Sequence, residues 1–268
     1  MTRDHAHDDH PEPFVESEPP APPADSAGQP WAGKSIPSHG FSGDTGEADA
    51  VLLAALRAAA ERPSPEAEQA AMEHVARVRW LVPVVAVAAE VDDSGEHVVE
   101  TRTDMAAVTL TAPDGSRALP VFTSLQALAA WDAAARPVPV RAAVAARSAI
   151  SEECSVLLVD VGSDHATVLR PSMLWALAQE RAWVPSHHDV HVASAVAAAL
   201  QSEPVVAAHR LEPGEPVGAG VLRVVLQLPA GLDSEAVGAL ATRIGERIAT
   251  DGETRARIDA LTFALETL

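Results

Sequence analysis

The stretch that most constrains the fold of this sequence is 104–124, where two runs of strand-forming residues, 105–112 and 117–122, flank Pro113-Asp114-Gly115-Ser116. An Asp-Gly pair accommodates the positive φ of a tight reversal, so the two runs are expected to pair as a β-hairpin. Thr123-Ser124-Leu125-Gln126 follows at once and fits a capping box, in which the Thr hydroxyl and the Gln amide satisfy free N–H groups at a helix start. Leu125, Leu128 and Trp131 then recur at helical spacing, so the unit reads hairpin, then helix.

The surrounding sequence extends this into an α/β pattern. Asp49 is placed to cap a helix carrying Leu52, Leu56 and Ala59. Ser64 and Pro65 start a second helix, with Glu66 and Glu68 at its positive end and Ala67, Ala71, Val75 and Val78 as its buried stripe. The apolar run 84–91, with Pro83 at its start, reads as a strand buried on both faces. After Arg136-Pro137-Val138-Pro139, an alanine-rich helix is expected over 141–151. Strands at 156–160 and 166–169 and a helix opened by Pro171 and Ser172 complete the first folded unit.

Residues 183–188 read as a linker. Beyond it, Asp189 caps a helix bearing Val192, Val196 and Leu200, and strands are expected at 205–211 and 221–228. Asp233 opens the most regular helix of the chain, with Val237, Leu240, Ala241, Ile244 and Ile248 on one face, and Asp251-Gly252 is expected to stop it. A final strand within 256–266 gives an α-β-β-α-β unit. The fold class is therefore α+β: a mixed sheet with flanking helices over 46–183, and a smaller α-β-β-α-β domain over 189–268.

Residues 1–45 differ from the rest. Pro, acids, His and Ala dominate the early part, with Glu18-Pro19-Pro20-Ala21-Pro22-Pro23 within it, a composition that buries too little apolar surface to order a chain, so a disordered N-terminal tail is expected. The chain as a whole carries 38 acidic against 19 basic residues, a net charge of −19, which opposes binding to nucleic-acid phosphates and anionic lipid. A single cysteine, Cys154, excludes an intramolecular disulfide, and neither a secretory leader nor an apolar run of membrane-spanning length is present, so a cytoplasmic protein is expected.

Several segments together resemble one known family. Trp31-Ala32-Gly33-Lys34 with Phe41-Ser42-Gly43-Asp44-Thr45-Gly46, then Leu81-Val82-Pro83-Val84-Val85, then the hairpin from Asp104-Met105-Ala106 to Leu119-Pro120-Val121-Phe122-Thr123-Ser124, and Ala130-Trp131-Asp132 with Arg136-Pro137-Val138-Pro139-Val140 resemble the bacterial enhanced serine sensitivity (SseB) family, in particular its two-domain actinobacterial members. The resemblance covers 31–140 most clearly. It implies a family domain followed by a smaller C-terminal domain, and it transfers no catalytic residue.

Motifs that suggest chemistry each have a simpler explanation. Gly28-Gln29-Pro30-Trp31-Ala32-Gly33-Lys34-Ser35 fits the phosphate-loop pattern, but no strand delivers it and Pro37 stands where its helix would begin, so nucleotide binding is not expected. His187, His188, Asp189 and His191 are ligand types for zinc or nickel, yet Asp189 already serves as a helix cap. Cys154 lacks a neighbouring base and reads as a small residue entering a strand. No catalytic, cofactor-binding or metal-binding residue is assigned. Asp104, Asp132 and Arg136 are the candidates for contact with a ligand or partner, being charged residues at the edges of elements in the best-matching segments. The expected function is a noncatalytic protein-interaction or regulatory module with an unidentified protein partner. The alternative is an enzyme or small-ligand binder with a pocket between the two domains.

Overall fold

The computed structural model describes residue 41, residues 43–88 and residues 103–268. Asp44–Leu268 form one unit, built from three sheets and the helices that cover them. Helices α1 (Ala50–Glu61) and α2 (Pro65–Val75) begin where their caps require. Asp49 accepts the N–H groups of Val51 and Leu52, and Ser64 that of Ala67.

Strand β1 (Arg79–Ala88) starts earlier than its apolar run suggests and carries Pro83 inside it. β1 lies between β2 (Thr103–Ala107) and β5 (Arg136–Arg141), antiparallel to both. Leu81 exchanges both backbone bonds with Phe122, so by strand alternation Leu81 and Pro83 face away from β5. Their opposite numbers Pro139 and Pro137 therefore point outward from β5, where a proline takes no bond from the ladder. The free edge of β5 thus lacks two donors, which blunts it against further pairing. From 80 to 84, β1 is buried on both faces, Trp80 and Val82 in the main core and Leu81 against Phe122 and Leu128.

The hairpin is shorter than the two strand-forming runs predict. Only Leu110 and Thr111, strand β3 (Leu110–Thr111), pair with β4 (Arg117–Val121), while 103–107 join β1 in another sheet. The chain changes partner at Val108, whose N–H bonds the Pro83 carbonyl at 3.1 Å. α3 (Leu125–Trp131) is capped by Ser124, which accepts the Ala127 N–H at 3.0 Å, instead of by Thr123. Helix α4 (Ala142–Ser151) leads to β6 (Val156–Val159), parallel to β4, and then to β7 (Thr167–Leu169), antiparallel to β6. The second sheet therefore runs β3-β4-β6-β7. α5 (Pro171–Ala178) closes this half, and α1, α2, α4 and α5 share one core with Trp80, Leu119, Val121, Leu157 and Val159.

The remaining elements carry a separate apolar cluster. Asp189 caps α6 (Val190–Leu200), and β8 (Ala208–Pro213), β9 (Val221–Leu228) and β10 (Ala260–Thr267) form a sheet in the order β10-β9-β8. α7 (Ser234–Thr250) connects β9 to its parallel neighbour β10 and buries Leu240, Ile244 and Ile248 against Val192, Val196 and Leu226. α7 ends with Asp251 as its C-cap, as expected. The Asp251 carboxylate accepts the Glu253 and Thr254 N–H groups and starts the short α8 (Gly252–Ala256). β8 begins at Ala208, later than expected. Among the described residues no helix is long and apolar enough to cross a membrane.

Candidate functional site

The three charged candidates do not converge. Asp104 lies within β2 opposite Val87, not in the turn before a strand, and its side chain falls outside the described residues. Asp132 is the C-cap of α3, and its carboxylate accepts the Ala134 N–H at 2.8 Å. Arg136 opens β5 opposite Val84 and is exposed; it does not close a helix. β2 and β5 flank β1 on opposite sides, so Asp104 and Arg136 address different edges of that sheet.

The histidine cluster is also dispersed. The His187 and His188 rings touch at a tilt of 45°, with centroids 4.0 Å apart, Asp189 caps α6 and pairs with Arg257, and His191 Nε2 lies 2.9 Å from Asp251. Among the described residues no three potential ligands gather for a metal ion. Cys154 is buried ahead of β6, and burial pushes its thiol pKa up. The phosphate-loop pattern at 28–35 lies outside the described residues.

One dense polar cluster has no local signal in the sequence. The Arg170 guanidinium, 13% exposed, bonds both oxygens of Glu68 at 2.7 and 3.0 Å, Asp259 at 2.9 Å and the Gly218 carbonyl at 2.6 Å. Burial alone would disfavour its charge, but the Glu68 and Asp259 carboxylates raise its pKa above the ordinary arginine value. Asp259 also takes the Ser172 N–H and hydroxyl, each at 2.8 Å, and Trp183 Nε1 donates to that hydroxyl at 3.0 Å. Gly220, at φ +71°, passes so close that a Cβ would stand 2.6 Å from Arg170 Nε. The void at this junction is only about 30 Å³, room for little more than one water molecule. These charges satisfy one another and join α2 and α5 to the segment before β10.

A second buried carboxylate organises the turn between β6 and β7. Asp160, with its side chain fully buried and its backbone at φ +47°, accepts the Thr123 N–H at 2.8 Å and the Thr123 hydroxyl at 2.7 Å. His165 Nε2 stands 3.2 Å from the same carboxylate, and its Nδ1 2.9 Å from Asp164. This bond to Asp160 explains why Thr123 does not cap α3.

Beside this turn lies an open groove of about 310 Å³. β7 forms one wall, Leu56, Ala59 and Ala60 of α1 the other, and Met72 of α2 and Met173 of α5 are among the residues lining it. Among the described residues β7 is the last strand of its sheet. Asp160 N–H bonds Val121 of β4, so by alternation Val159 and Leu157 face β7 and pair through bonds with Thr167 and Leu169. Val168 therefore turns its own N–H and C=O outward, and the residue is 50% exposed. Its Thr-Val-Leu sequence was legible as a strand, but nothing local marks which strand ends a sheet.

No curated protein matches the chain. Residues 52–176, which take in α1 through most of α5 and every element lining this groove except the loop at Val217 and Gly218, match the family model of the SseB protein N-terminal domain, a match that supports placing the chain in the SseB family.

Proposed function

We propose that this chain is a noncatalytic, protein-binding member of the SseB family, of the two-domain actinobacterial type, with a family domain at 46–183 and a smaller domain at 189–268. The observation carrying this reading is the open, mainly apolar groove between α1 and β7, of a size that takes two or three apolar side chains of a protein partner. The rival, a small-ligand site between the two halves, is not adopted. Arg170, Glu68 and Asp259 converge there on one another around a void of about 30 Å³. The net charge of −19 and the single cysteine support a cytoplasmic setting away from nucleic acid and lipid.

The test is affinity capture from an extract of the source organism with full-length protein and with Ala60→Glu, which puts a charge on the groove's exposed wall. A protein retained stoichiometrically by the first and lost by the second is the expected result. Equal recovery by both would overturn the reading.

A further inference from the structure

We propose that the C-terminal half, 189–268, is a hinged gate. It turns about 184–188, is held shut by Asp259, and when shut places the tip of the loop between β8 and β9 at one end of the groove. The motion stands apart from the protein-binding reading above; only its effect on the groove rests on that reading.

The seam between the halves is built unlike either interior. Each apolar cluster draws on one half alone, those of the first half reaching no further than Trp183 and that of the second beginning at Val192. No sheet spans both halves, and among the described residues no backbone–backbone hydrogen bond crosses from one to the other. What crosses is polar. Asp259 bonds Arg170 and Ser172, the Gly218 carbonyl accepts from Arg170, and Glu253 accepts from Arg181 at 3.0 Å. The Arg257 guanidinium also lies 4.9 Å from the centre of the Trp175 ring. Parting such a seam leaves the apolar clusters whole.

The charges are arranged to part as well. Arg170 keeps both oxygens of Glu68, a residue of its own half, when Asp259 leaves, so the guanidinium is not stranded. Arg257 likewise keeps Asp189 and Glu253 of its own half. Its Nε is buried with no hydrogen-bond partner among the described residues, a cost of the closed seam that opening to water relieves. Residues 184–188 form neither helix nor strand and can absorb the turn. Val217 and Gly218 line the groove beside Glu68 and Arg170, and opening draws them away from that end.

Hydrogen exchange at Ser172 tests the motion, because among the described residues its N–H has only Asp259 as partner. Pro63→Cys with Gly218→Cys ties the seam, since a Cβ at Gly218 stands 3.6 Å from that of Pro63, within the ~3.5–4.5 Å of a disulfide. With the tether reduced, the Ser172 amide should exchange well ahead of the amides of β6 and β9, and oxidation should slow it at least about tenfold. Ser172 exchanging together with those strands, or equally in both states, would overturn the hinge. Gly218 has φ +87°, which strains a cysteine, so a second measurement uses no tether. Spin labels at Ile150→Cys on α4 and Glu246→Cys on α7, both exposed, should show a second, longer distance about tenfold more populated in Asp259→Asn than in the chain with Asp259. One distance, the same in both, would overturn the hinge too. Capture of a partner sensitive to Ala60→Glu should fall about tenfold when the tether is oxidised. Equal capture in both states would overturn the gating and leave the groove reading standing.

Discussion

Asp259 Oδ1 accepts the backbone N–H of Ser172 at 2.8 Å, so the first turn of α5 is capped by a residue 87 positions further along the chain. Arg170, the formal N-cap, makes no side-chain capping bond. The carboxylate that completes the helix also pairs with Arg170, so one group joins the matched domain to the segment leading into β10.

Asp259→Ala should therefore destabilise far more than loss of an ordinary cap. It frees the Ser172 N–H and hydroxyl and removes one of the two carboxylates that compensate a largely buried guanidinium, for an expected loss of about 3 kcal/mol in urea unfolding. Asp259→Asn keeps an acceptor for Ser172 but not the charge, and its loss should be smaller. A loss for Asp259→Ala no larger than the ~1 kcal/mol of an exposed cap would show that Arg170 does not depend on Asp259.

Asp160 and Thr123 give an ordered pair. Asp160→Ala leaves the Thr123 N–H and hydroxyl buried without their acceptor, whereas Thr123→Val removes only the hydroxyl donor. Thermal unfolding should rank Asp160→Ala as the worse by about 1–2 kcal/mol.

Ser124→Ala should cost about 1 kcal/mol by removing the Ala127 N–H acceptor. Chemical denaturation that finds Ser124→Ala silent would return the capping role to Thr123.

Glu203 carries a pH dependence of definite sign. Its side chain, 7% exposed, bonds Arg243 and Arg247, and those bonds hold its pKa down to about 2 from an ordinary 4.5. A carboxylate depressed in the folded state stabilises fully above its unfolded pKa and loses that contribution as pH falls toward the folded value. The urea midpoint of wild type should exceed that of Glu203→Gln at neutral pH, and the gap should narrow as pH drops from about 4.5 to about 2. A gap that widens with acid would contradict the assignment.

Helix starts were legible because their signals are local. Asp49, Ser64, Asp189 and Asp233 each cap the helix that follows them. Strand partners were not. Residues 105–112 read as one uninterrupted strand, while the switch from β1 to β4 depends on where β1 lies. Thr123 had two potential acceptor-donor roles, and a carboxylate 37 residues away decided between them. The Arg170–Asp259 pair spans 89 positions, and a lone Arg before Pro171 carries no trace of it. The groove depends on β7 ending its sheet, a property of topology and not of Thr167-Val168-Leu169.

Methionine methyls report on the groove itself. The chain has four methionines, and two of them, Met72 and Met173, line it. With ¹³C-methyl-methionine protein, saturation with the captured partner should shift the Met72 and Met173 resonances, and Ala60→Glu should abolish both shifts. Saturable binding that leaves both methyls unmoved would place the partner elsewhere and contradict the account.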